Sequence, residues 1–185
     1  MGYAGEVRLP LSIKRLTLRD WRPNDCARVA EISLQPGVQA GLGAVQDAAA
    51  RVRRVMARRD MSHSDGYHMA ALEHQESGIL IGWCGFKRVT VGPVSGAIEI
   101  GWTLADEWTG QGFAMEAAEA CLSEAATLWP DETIYAYTAA INQRSRRLME
   151  RLGMVRRAEL DFDHPEVDPQ SALRPHVMYS RSLAP

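Results

Sequence analysis

The sequence predicts a mixed α/β (α+β) fold in which a central, mostly antiparallel sheet of about seven strands is flanked by about four helices. Three observations carry that reading. The middle of the chain holds three consecutive strand-like runs joined by short turns. Stretches of helical period precede and follow them. No internal repeat or linker divides residues 1–185, so a single domain is expected.

Each element follows from local pattern. Residues 15–20 (RLTLRD) alternate Leu16 and Leu18 with polar neighbours, which reads as a half-buried strand after a loose segment at 1–13. Pro23-Asn24-Asp25 opens a helix in which Cys26, Val29, Ala30 and Ile32 recur at helical spacing, and Pro36-Gly37 is expected to stop it. A second helix is expected at about 44–59, with Val45, Ala49, Val52, Val55 and Met56 along one stripe and the arginines elsewhere. Strands are expected at 67–73, 79–89 and 96–104, with turns at Glu76-Ser77-Gly78 and Gly92-Pro93. Short connections imply antiparallel neighbours. A helix at 110–128, a strand at 133–138, a helix at 142–152 and strands at 154–161 and 175–182 complete the order.

Composition narrows the function classes. The hydrophobic share is 46% and the charged share 24%, as in globular chains that bury a full core. A net charge of −2 supplies no global field for nucleic acid, so no direct nucleic-acid binding is expected. The Arg51, Arg53, Arg54, Arg58 and Arg59 run reads as a solvated helix face. Cys26, Cys84 and Cys121 are odd in number and lack metal-type spacing, which argues for reduced thiols. No apolar stretch approaches the roughly 20 residues that span a bilayer, and no basic leader is seen, so a cytoplasmic protein without membrane contact is expected.

The chemistry-bearing pattern lies where a strand ending Trp102-Thr103-Leu104 meets Thr109-Gly110-Gln111-Gly112-Phe113-Ala114 at the head of a helix. Glycines at 110 and 112 permit left-handed φ angles and remove the Cβ atoms that would block an anion. Free amide groups at a helix N-terminus, with the helix dipole behind them, attract phosphate. A dinucleotide fingerprint would need glycine where Met115 stands, and a Walker loop would need Lys-Ser/Thr where Phe113-Ala114 stands.

Taken together, RLTLRDWRPND, IGWCGF, IEIGWTL, WTGQGFAMEA and YAYTAAINQRSRRLMERLGM, closed by HVMYSRSL, resemble the GNAT acetyltransferase superfamily. The likeness is to its branch similar to ribosomal-protein alanine N-acetyltransferases of the RimJ/RimL type. The resemblance implies the GNAT fold, acetyl-CoA as co-substrate, no metal, and acetyl transfer to a primary amine on a protein N-terminus or a small molecule. The family's pyrophosphate pattern, Gln/Arg-x-x-Gly-x-Gly/Ala, maps onto Glu107 through Gly112, and Glu107 departs from it at the first position. The resemblance also implies that Asn142 bonds the pantetheine arm, that Ser145 faces the thioester sulfur, and that a bulge splays the 96–104 strand from the 133–138 strand. That bulge would leave amides near Trp102, Thr103 and Leu104 free for the cofactor. Asn142 reads equally as an N-cap. Met149 stands where many relatives carry a tyrosine acid.

Alternation along IEIGWTL puts Ile98, Ile100, Trp102 and Leu104 on one face and Glu99, Gly101 and Thr103 on the other. Glu99 is the expected base, acting through water, and a strand-edge surface charge is the plainer reading. Trp21 and Tyr137 are candidate acceptor-pocket aromatics or core residues. The segment from Asp161 through His164 to His176, which Pro165 and Pro169 mark as a loop, reads as a substrate-side loop, a homodimer contact or plain surface rather than a metal cluster. A non-catalytic acyl-CoA-binding module and a nucleotide-binding domain are the competing readings.

Overall fold

A computed structural model describes residues 9–42, 49–50, 52–53 and 69–184. Its strands are β1 (Leu11–Ser12), β2 (Leu16–Arg19), β3 (Met69–His74), β4 (Leu80–Arg88), β5 (Ile98–Leu104), β6 (Thr133–Ala139), β7 (Val155–Arg156), β8 (Phe162–Asp163) and β9 (Pro175–Ser182). Its full-length helices are α1 (Asp25–Ser33), α2 (Pro36–Leu42), α3 (Phe113–Leu128) and α4 (Gln143–Arg151). The sheet runs β1-β2-β3-β4-β5-β6-β9-β7, with β8 also on β9. Every pairing is antiparallel except β5 with β6.

Two cores lie on opposite faces of this sheet. One joins Leu16, Leu72, Ile81, Phe86, Ile98, Ile100 and Ile134 to Ala117, Cys121 and Leu122 of α3 and to Met149 of α4. The other joins Trp21, Met69, Ala71 and Trp83 to Val29 and Ile32 of α1 and Val38 of α2. Period-2 alternation divides the strands between them: Ile98 and Ile100 enter the first core, whereas Thr103 faces the second side beside Trp83.

The mixed sheet and flanking helices match the predicted class, and four local expectations are corrected. Residues 11–12 of the segment expected to be loose pair with Leu18 and Thr17. Pro36 does not stop helical structure but begins α2, because proline's fixed φ and missing N–H suit a first helical position. The 154–161 run is strand only at Val155–Arg156 before a 3₁₀ turn at Ala158–Leu160. Helix α3 starts at Phe113, three residues after the expected 110, because Gly110 and Gly112 have left-handed φ angles of 77° and 87° that no helix accommodates. Of the helix expected at 44–59, residues 49–50 and 52–53 are helical and the rest lie outside the described residues, as do 67–68 of the next strand.

Candidate active site

The link from β5 to α3 is tied down by short local bonds. Ala105 donates back to Ile81, Thr109 Oγ1 donates to the Asp106 carbonyl at 2.8 Å, and Gln111 Nε2 donates to the Glu107 carbonyl at 2.8 Å. These bonds fold Asp106–Trp108 into one 3₁₀ turn and deliver Gly110-Gln111-Gly112 to the head of α3. A Cβ at Gly110 would meet no atom within 4 Å, so that side of the turn is open. Phe113 is buried against Trp108 and His74 and anchors the turn, so an anion would meet backbone here and not the Phe113 ring.

Glu107, which occupies the first motif position, turns away from this nest. It pairs with Arg28 of α1 and accepts from Gln35 Nε2 at 3.2 Å. Burial works against its charge, but the Arg28 and Gln35 bonds prevail and hold its carboxyl below the usual range.

Strand β5 pairs with β4 along all of Ile98–Leu104 but with β6 only at Ile98–Ile134 and Glu99–Tyr135. Beyond Glu99 the two parallel neighbours separate. The Thr103 carbonyl crowds Gly82 of β4, and the Ala105 amide also bonds toward β4, so alternation turns the amides of Trp102 and Leu104 into the gap. The β4–β5 register has no shift, so the expected bulge is absent and the strands part without one. Diverging strand directions suffice, since a right-handed sheet twist rotates neighbours and a parallel pair has no hairpin to hold it closed.

Just beyond the end of β6, Asn142 caps α4. Its Oδ1 accepts from the Ser145 amide at 3.2 Å, while Nδ2 donates to Thr138 Oγ1 at 2.9 Å and Ser145 Oγ at 3.1 Å. Both amide hydrogens are thereby used, and the N-cap reading is realised in full. The same bond makes Ser145 Oγ an acceptor and leaves its own hydrogen as a donor. Met149, where many relatives carry tyrosine, is 3% exposed within the first core.

Glu99 lies on the second face and is 5% exposed. Its cross-strand partner in register is Lys87, whose Nζ stands 2.9 Å from Glu99 Oε2 and 5.5 Å from the Tyr137 ring centre. A carboxylate beside a cation in low dielectric keeps its charge more readily than one buried alone. Gly101 leaves room next to it: a Cβ there would lie 3.7 Å from Glu99 Oε1. The surface-charge reading of Glu99 is therefore corrected.

Tyr137 begins a wall of rings on the same face. It meets Phe162 at 5.5 Å and His176 at 5.8 Å between ring centres, and His164 closes on His176 at 4.9 Å. Burial depresses the His176 pKa despite the bond from its Nδ1 to the Arg174 carbonyl, so the ring favours its neutral form. Trp21 does not join this wall. It is 4% exposed, donates to the Met69 carbonyl at 2.7 Å and packs on Trp83. Among the described residues, no group of three His, Cys, Asp or Glu side chains is placed to hold a metal, and no helix is long and apolar enough to cross a membrane.

The ends of β5 and β6, where the two strands part, thus lead into the 109–114 turn and into Asn142 and Ser145 respectively, and Glu99 and Tyr137 share one face of the sheet, with His164 against Tyr137. Thr103 points its backbone away from the gap. Lys87 was missed in sequence although IGWCGFKRV places it on the strand face of Trp83 and Gly85; what was lacking was the hairpin register that sets it opposite Glu99.

A half-split sheet with a glycine turn heading the next helix is a frame that can take a phosphate-bearing ligand. Residues 15–155 match the acetyltransferase (GNAT) domain, so the chain belongs to the GNAT acetyltransferase family, in which acetyl-CoA is the acyl donor. Similar structures include a GnaT-family acetyltransferase from Bordetella pertussis, 23% identical over 95% of this chain and 100% of that one, with a TM-score of 0.75. Another is an acetyltransferase from Agrobacterium tumefaciens, 24% identical over 96% and 99% of the two chains, with a TM-score of 0.70. A third is RimL, the ribosomal L7/L12 alpha-N-protein acetyltransferase, in complex with coenzyme A: 18% identity, 94% and 97% coverage, TM-score 0.73. At these identities the likeness is one of fold.

Proposed function

We propose that this single-domain enzyme transfers an acetyl group from acetyl-CoA to a primary amine by direct attack of the amine on the thioester. The divergence of β5 from β6 beyond Glu99 carries this reading, because it aims the Trp102 and Leu104 amides into a gap that also meets the glycine turn. Those amides suit the pantetheine amides and the thioester oxygen, and the turn at Thr109–Ala114 suits the pyrophosphate. Bound there, acetyl-CoA supplies an activated acetyl group and a thiolate leaving group.

The residues divide the remaining work. Glu99, paired with Lys87, accepts the ammonium proton through water, so that a neutral amine stands about 3 Å from the carbonyl carbon. Ser145 offers its hydroxyl hydrogen toward the departing sulfur. Asn142 fixes Ser145 and offers its remaining Oδ1 lone pair to a pantetheine N–H. Tyr137, Phe162, His164 and His176 form the acceptor wall, and Trp21 supports the sheet behind it.

The motifs shared with the RimJ/RimL branch favour a protein N-terminus as acceptor, in a cytoplasmic setting. That the similar RimL structure is a ribosomal-protein alpha-N-acetyltransferase supports that choice of class. A thiol-release assay with acetyl-CoA against peptides, amino acids, polyamines and aminoglycoside-type amines tests it. Turnover with an amine is the expected result. Tight CoA binding with no amine acetylated would leave only an acyl-CoA-binding module.

A further inference from the structure

We infer that Arg15, at the threshold of β2, is the positioning residue that shapes the glycine turn and presents a cationic edge to the pyrophosphate of CoA. The inference rests on the assignment of that turn to CoA.

Four contacts fasten Arg15 to the turn and to the first coil of α3, although the two segments are 101 residues apart in sequence at the Arg15–Glu116 pair. Its main-chain N–H donates to Glu116 Oε1 at 2.6 Å, its Nε donates to Glu116 Oε2 at 2.8 Å, and its Nη2 donates to the Gln111 carbonyl at 3.2 Å. Its guanidinium carbon stands 4.1 Å from the centre of the Phe113 ring. Stacking and the Glu116 fork fix the plane of the guanidinium, which holds its Nη edge at the turn.

This geometry suits a ligand as well as a brace. The Arg15 side chain is 41% exposed, whereas a structural strut such as Arg19 is 7% exposed. A Cβ at Gly112 would lie 3.4 Å from Arg15 Nη2, so the absence of a side chain at 112 keeps that edge uncovered. Glu107 is drawn off to Arg28 and Gln35, and Glu116 is engaged by the Nε and main-chain N–H of Arg15, so the side-chain group that reaches the turn through Nη2 is a guanidinium. The family pattern places Gln or Arg at the Glu107 position; here the cation comes from another strand.

Calorimetric titration of the full chain with CoA, dephospho-CoA and pantetheine tests this without an acceptor. Arg15→Ala should weaken CoA and dephospho-CoA about tenfold or more, the scale of one charge-assisted hydrogen bond, and leave pantetheine unchanged. Arg15→Lys should recover part of the loss, because it restores charge without the fork. Equal losses on all three ligands would make Arg15 only a brace, and a loss confined to CoA would move the contact to the 3′-phosphate; either overturns the inference. If Arg15→Ala fails to fold, Arg15→Gln serves with the same criteria. Wild-type protein that binds pantetheine as tightly as CoA would instead sink the phosphate assignment of the turn itself.

Discussion

Lys87 and Glu99 face each other across the β4–β5 ladder with 2.9 Å between Nζ and Oε2, on the sheet face that also carries Tyr135 and Tyr137. The pair places a carboxylate of fixed position beside the gap and opposes the effect of burial, which alone would favour the neutral acid. Glu99→Gln should therefore lower kcat by about 10² while CoA affinity holds. Lys87→Met should move the acid limb of kcat/KM to higher pH, and Lys87→Arg should restore it. Tyr135, Tyr137 and His176 share this face, with His164 against His176, and Arg19 and Glu73 lie on it farther along the sheet. A wild-type rate that stays flat from acid to alkaline pH would remove Glu99 from the proton path.

Gly112 has a φ of 87° and a neighbour, Arg15 Nη2, 3.4 Å from where a Cβ would stand. A β-branched residue is strained in that conformation and crowds the guanidinium. Gly112→Val is expected to weaken CoA binding measured by calorimetry, whereas a normal affinity would mean that the turn does not receive phosphate.

Asp25 is clasped by Arg19 through two 2.9 Å bonds and accepts from the Arg22 amide at 2.6 Å, while Glu73 takes the Nε of Arg19 at 2.6 Å. Burial opposes the Asp25 charge, but the Arg19 and Arg22 bonds outweigh it and hold the carboxyl below its ordinary value. Removing one partner leaves the other charge buried, so Asp25→Ala should cost about 3–5 kcal/mol in denaturant unfolding. The sign with pH follows from the depressed value. The contribution is present above the ordinary aspartate range and disappears as pH falls through the folded value, so the variant's melting temperature should fall less than wild type's at acid pH.

His176 titrates in a higher window. Its folded pKa is lowered by burial, so stability is full above the unfolded value near 6.5 and is lost as pH falls through the folded one. His176→Asn, which retains a donor for the Arg174 carbonyl, should reduce the drop in melting temperature between pH 7 and pH 5. An unchanged drop would assign that acid sensitivity elsewhere.

Met149 fills a core position together with Leu152 and Met154. Met149→Tyr should therefore destabilise the fold by about 1–3 kcal/mol through overpacking, without faster thiol release. A rise in kcat would show that a phenol at this position reaches the sulfur.

Much of the frame is local and was legible from the chain itself. Period-2 alternation set Glu99 apart from Ile98 and Ile100, helical period marked α3 and α4, and two glycines before a helix marked the turn, because backbone preference and side-chain direction act over a few residues. Pro36 was misread because proline ends one helix and begins another by the same chemistry. The Asn142 cap was visible in sequence as well, but not that both of its amide hydrogens would be taken by Thr138 and Ser145.

What only the tertiary structure decided is how distant segments meet. The sequence determined a mixed sheet, a glycine turn and a carboxylate on the strand face opposite Ile98 and Ile100. Folding decided that Lys87 stands opposite that carboxylate, that Arg15 reaches Glu116 and the turn, and that β5 parts from β6 without a bulge. Register and twist are settled by packing over the whole sheet, where a shift of one residue would exchange every side chain between the two cores.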